Sequence, residues 1–194
     1  MFDKTIFAEA LAQYKKEFSK RWENENFKWK AVKWFQDNWN VNASNFSEML
    51  DKVLDQSVTA SLLTSKNRFP RGMIVYFAQN EPEEVRSMSI NLFDESIDLI
   101  ERIDSFKKKA DVLLENSLKK EGRMHYQDEN AITTYLWLRY PDKYYIYKYS
   151  SIKKVAEVLK ADCNISKGAY AENIRSFMIC CFDSYRHWCK CLGR

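Results

Sequence analysis

The 194-residue sequence predicts a mainly α-helical, multi-helix globular domain, and three observations predict it. Only 4 glycines and 3 prolines are present, against roughly 7% and 5% in average chains, too few to turn a β-sandwich or barrel. Apolar residues recur at steps of three and four through most of the chain, the spacing of a helix face. Apolar residues make up 45% and aromatics 15%, enough for a core and enough to exclude wholesale disorder. The one β element the sequence allows is a short strand or hairpin near 132–149.

Taken in order, the first helix is expected over Thr5 to Trp22, with Ile6, Phe7, Ala10, Leu11, Tyr14 and Phe18 on one face. A second runs from about Phe27 to Trp39. Its apolar face holds Phe27, Ala31, Val32, Trp34, Phe35 and Trp39, and Trp29 falls outside it, beside Lys33 and Gln36. Asn45 with Glu48 three residues later is a capping-box-like start, followed by Phe46, Leu50, Val53 and Leu54. Ser57 to Asn67 reads as a polar connector. Pro70 and Pro82 each suit the first turn of a helix, giving helices near 70–80 and 82–93. Asp94 to Lys119 is the longest periodic run, with a seam of Leu99, Ile103, Phe106, Ala110 and Leu113.

Lys119 to Arg123 breaks that pattern. The expected division is therefore a helical domain over 1–120, an aromatic-rich α(+β) subdomain over 121–180 packed on it, and a Cys-rich tail over 181–194. Ala131 to Tyr140 is either a helix capped by Asp128 or the first arm of a hairpin turned at Pro141-Asp142-Lys143. The second arm, Tyr144 to Tyr149, has high β propensity. Ser150 or Ser151 then caps a helix carrying Ile152, Val155, Ala156 and Leu159, and a last helix covers Tyr170 to about Phe182.

No stretch approaches the ~18 apolar residues of a membrane span, and the first residues lack the pattern of a signal peptide. The expectation is a cytoplasmic protein with no membrane partner. A net charge of +4 permits contact with nucleic acid without demanding it. Cys180, Cys181, Cys189 and Cys191 crowd the end of the chain, yet C-C and C-x-C spacings chelate zinc poorly, so no metal is expected. The chain lacks G-x-x-x-x-G-K-[ST], H-E-x-x-H, G-x-S-x-G and the [DE]-x-K of many Mg²⁺-dependent nucleases. These absences lead to the expectation of a non-enzyme without cofactor; His125 and Asp128 are the remote catalytic option.

Three stretches could contact nucleic acid. Lys28 and Lys33 flank Trp29, a pairing of phosphate-neutralising cations with a ring that can stack on a base or pack on a neighbouring segment. Arg68 and Arg71 flank Pro70 ahead of Gly72, where they either meet a phosphate or pair with carboxylates such as Glu83 or Glu84. Arg139, Lys143, Tyr145 and Lys148 interleave aromatics with bases, which suits base stacking as well as a core edge.

The strings Phe69-Pro70-Arg71-Gly72-Met73, Asn91-Leu92-Phe93-Asp94-Glu95-Ser96 and, above all, Tyr135-Leu136-Trp137-Leu138-Arg139-Tyr140-Pro141-Asp142-Lys143-Tyr144-Tyr145-Ile146-Tyr147-Lys148-Tyr149 carry a resemblance. Over roughly residues 27–178 the chain resembles the region ahead of the motor in McrB-type AAA+ GTPases of modification-dependent restriction systems. The resemblance implies a DNA-binding, specificity or coupling region of a defence system. Its partners would be DNA, modified or not, a AAA+ GTPase motor and a separate nuclease subunit. The alternative is a protein-interaction module that docks the motor or nuclease through Asp94–Lys119 and the tyrosine run.

Overall fold

The computed structural model describes residues 2–64, 68–117 and 124–177. Among them the fold is mainly α-helical, as expected, with nine helices: α1 (Lys4–Asn38), α2 (Phe46–Val53), α3 (Gln56–Leu63), α4 (Pro70–Asn80), α5 (Pro82–Phe93), α6 (Leu99–Ser117), α7 (Glu129–Arg139), α8 (Tyr149–Val158) and α9 (Tyr170–Phe177). The chain forms two compact units, Phe27–Ile146 and the residues flanking it on either side. The border expected at 119–123 and the tail at 181–194 fall outside the described residues, as does any extension of α9 toward residue 182.

The first two expected helices are one. No glycine or proline precedes Pro70, so nothing forces a break at Glu23-Asn24-Glu25-Asn26. The asparagines instead bond back along the helix, Asn24 Nδ2 to the Lys20 carbonyl at 3.2 Å and Asn26 Nδ2 to the Glu23 carbonyl at 3.4 Å. Asp3 starts α1 by accepting from the backbone N–H groups of Thr5 and Ile6 at 2.9 and 3.1 Å.

In the unit Phe27–Ile146, Asn45 caps α2 by accepting from the Glu48 N–H, and its side-chain Nδ2, not its backbone N–H, donates to the Glu48 carboxylate at 3.0 Å. Of the expected connector over 57–67, residues 57–63 are helical instead, and residues 65–67 fall outside the described residues. Asp55 accepts from the Ser57 N–H at 2.6 Å, and fully buried Thr59 returns its hydroxyl to the Leu54 carbonyl at 2.9 Å. Residues that look like a loop by composition thus satisfy helical backbone groups. Pro70 and Pro82 both stand in the first turn of their helices, as predicted. The α6 seam is buried at Ile103, Phe106, Ala110 and Leu113, joined by Ile100 and Arg102. It begins at Leu99, since Asp94–Asp98 is a capped turn in which Asp98 accepts from the Ile100 N–H at 2.9 Å.

α7 decides between helix and hairpin. Asp128 accepts from the Ala131 N–H at 2.9 Å, and every residue from Ala131 to Leu138 is buried. Such an all-round apolar helix belongs at the centre of a bundle. Beyond it Tyr140–Lys143 turns, and Tyr144 to Lys148 run irregularly with no partner strand among the described residues; α8 starts at Tyr149, one residue before the expected cap. A single bridge residue at Arg68 is the only β assignment among the described residues. The aromatic excess fills this unit ring on ring. Trp39 stacks on Phe35 at 5.2 Å and meets Phe93 edge-on at 5.2 Å, and Phe93 continues to Tyr140 at 6.1 Å. An apolar void of about 20 Å³ beside Trp39 has room for about one water and none for a ligand.

In the flanking unit, α8 buries Ile152 and Ala156, and α9 buries Asn173 and Ile174. Asn173 is fully buried and fully used: it donates to the Tyr147 hydroxyl at 3.0 Å and the Ser166 carbonyl at 2.7 Å, and accepts from the Ser166 N–H at 2.9 Å. The Asp3 N–H reaches the Leu159 carbonyl at 2.9 Å, tying the start of α1 to the end of α8.

Candidate nucleic-acid interface

The two arginines that flank Pro70 are clamps of the fold. Arg68 pairs with Asp128 and donates to Asn130 Oδ1 at 2.8 Å, fastening the entry of α4 to the cap of α7. Arg71 pairs with Asp51 and donates to the Leu54 carbonyl, closing α4 on the end of α2. Both arginines therefore pair with carboxylates, though not with Glu83 or Glu84; Glu83 is taken by Arg86 at 2.9 Å. Arg86 also reaches the carbonyls of Val41 and Ala43 and lies 4.7 Å from the Phe46 ring.

Trp29 packs against Trp137 at 5.7 Å between ring centres, the packing alternative rather than a free stacking ring. Lys28 is half-buried with its ammonium 5.9 Å from the Phe27 ring, and Lys33 is paired with Asp37 at 2.8 Å on the helix surface. That last pair is highly exposed and holds Lys33 by about 0.3–0.5 kcal/mol at most. Arg139 and Lys143 come together over the Tyr140 ring, at 5.1 and 5.5 Å from its centre. Tyr145 is half-buried and Lys148 exposed.

His125 and Asp128 are committed to structure. His125 Nδ1 accepts from the Gln127 N–H at 2.8 Å, which leaves the proton of the neutral ring on Nε2, facing Asp111 at 2.9 Å. Fully buried Gln127 then donates to the Pro70 carbonyl at 2.7 Å and accepts from the Tyr135 hydroxyl at 2.9 Å. Between these anchors Tyr126 adopts a positive φ of 57°, unusual for a bulky residue.

One cluster has no signature in the sequence. Lys143 pairs with Glu95, whose other oxygen accepts from the Tyr144 hydroxyl at 3.1 Å. Tyr144 in turn accepts from Arg102 Nη2 at 2.9 Å, and Arg102 Nη1 donates to the Leu92 carbonyl at 2.8 Å. Partial burial pushes the Glu95 carboxyl upward, but the bonds from Lys143 and Tyr144 outweigh it and hold the group below its ordinary value. Burial raises the Tyr144 phenol, and the Glu95 contact raises Lys143. No spacing rule flags this cluster, since the bonds that join its two halves link residues 42 to 49 apart in the chain.

Among the described residues no group of three or more His, Cys, Asp or Glu is placed to hold a metal ion, and no helix is long and apolar enough to cross a membrane. Comparison with protein-family models, curated proteins and solved structures finds no match to this chain.

Proposed function

We propose that the chain is a non-catalytic DNA-binding or coupling region of a McrB-like restriction system, and that its DNA contact lies in the stretch after Ile146. One observation supports this placement above the others. Residues 147–177 carry Lys148, Lys153, Lys154, Lys160, Lys167 and Arg175, all exposed, against only Glu157, Asp162 and Glu172. Arg68 and Arg71 are spent on internal clamps, which leaves the exposed lysines around α8 as the better candidates for a phosphate backbone. The exposed pair between Lys153 and Glu157, at 3.9 Å, offers little competition.

Anisotropy titration of labelled duplex DNA at two salt concentrations tests the reading. Binding at low salt that weakens steeply with added salt supports it. A flat response, or no binding, removes it.

A second reading, docking of a motor or nuclease subunit, is favoured by α1 and not by the α6 seam, which is buried. From Lys4 to Asn26 no residue of α1 is buried, yet Phe7, Leu11, Tyr14, Phe18 and Trp22 line one face. Tyr14, Phe18 and Trp22 touch ring to ring at 5.9 and 5.7 Å, and Trp22 is 43% exposed. Light scattering of the chain with and without the AAA+ subunit distinguishes this reading from the first.

A further inference from the structure

We propose that Lys143, Tyr144 and Arg102 form an anion cradle which the chain fills with its own Glu95, and that the external ligand able to take that place is a phosphate group. The cradle belongs to Phe27–Ile146 and goes beyond the DNA reading above: it is a phosphate contact additional to the lysines after Ile146.

The back of the cradle is built into the core: Arg102 is 3% and Tyr144 7% exposed. Among the described residues Arg102 has no carboxylate of its own within pairing distance; it donates to the Tyr144 oxygen and the Leu92 carbonyl, and its Nε finds no acceptor there. Because Tyr144 already accepts from Arg102, its own proton is aimed outward at Glu95. Burial raises the phenol above its ordinary value, which keeps that proton in place. A buried cation thus polarises a donor aimed at an anion, with the exposed ammonium of Lys143 as the second donor.

The occupant is the replaceable part. Glu95 stands in the turn between α5 and α6 rather than on a helix, and its side chain is 34% exposed. It can swing into water without breaking a helical hydrogen bond. A phosphate offers the same donors more acceptor oxygens and equal or greater charge. The Glu95 contact is therefore autoinhibitory.

The test uses the full chain and inorganic phosphate. In phosphate-free buffer Glu95→Ala should melt below the native protein and recover when phosphate is added, while the native protein responds far less. Phosphate should bind the variant about tenfold more tightly, equivalent to about 1.4 kcal/mol. Adding Tyr144→Phe should abolish the recovery. Glu95→Gln provides the same comparison with a smaller change in shape should Glu95→Ala not fold. Equal responses in variant and native protein overturn the proposal, as does recovery matched by potassium chloride at equal ionic strength, or recovery that survives Tyr144→Phe. Labelled DNA separates the two readings. Phosphate recovery without DNA binding in either protein leaves the cradle standing and removes the DNA reading. Salt-sensitive DNA binding by the native chain, with Glu95→Ala indifferent to phosphate, does the reverse.

Discussion

Asp128 does two tasks with one carboxylate: it caps α7 through the Ala131 N–H and holds Arg68. The cap is worth about 1 kcal/mol and the partly exposed ion pair less. Asp128→Ala should therefore cost about 1–2 kcal/mol in urea unfolding, while Asp128→Asn, which can still cap, should keep most of the stability. Glu95 makes a pH prediction whose sign follows from its lowered carboxyl. A group more acidic in the folded chain stabilises it above its ordinary range and loses that contribution as pH falls through its folded value. Glu95→Gln should then be the less stable protein near neutrality, and the gap should close below about pH 4, near the carboxylate reference value. A gap of constant size from pH 7 to pH 3, measured by thermal melts, would show that the charge on Glu95 is not what matters.

Elements are legible where local chemistry and burial agree. Asn45 with Glu48, Pro70, Pro82 and Asp128 each mark a helix start that the structure keeps, and the α6 seam is buried from Ile103 to Leu113, with Leu99 half-buried at the helix start. Failures come where composition argues against tertiary context. Ser57 and Thr59 read as loop because their hydroxyls compete with backbone bonds, yet in α3 those hydroxyls serve the helix end. The tyrosine run after Pro141 reads as strand by propensity, but a strand needs a partner and the described residues supply none there. The candidate site is less legible than the fold. Arg68 and Arg71 carry the residue type and spacing of phosphate ligands, and only three-dimensional pairing reveals Asp128 and Asp51 as their partners. α1 yields a direct test. Asn24→Pro would be harmless between two separate helices, but within one helix it should cost about 3 kcal/mol locally and lower the far-ultraviolet helical signal.

Across the whole molecule, charge is distributed unevenly along the chain. Lys148, Lys153 and Lys154 belong to the basic stretch, and replacing all three by alanine should weaken DNA binding without base preference. The slope of log affinity against log salt should flatten by about 0.9 for each phosphate that is no longer neutralised. An unchanged slope would move the DNA-binding surface elsewhere on the chain. The placement of the indoles has a practical consequence as well. Trp29, Trp34, Trp39 and Trp137 belong to Phe27–Ile146, whereas Trp22 belongs to the flanking unit and stands open to water. With Trp188 changed to Phe, iodide should quench Trp22 more strongly than the half-buried Trp29, Trp34 and Trp39, while buried Trp137 keeps a blue-shifted emission that reports on the helical core. One fluorimeter can thus follow the melting of each unit in the same sample, with no label attached.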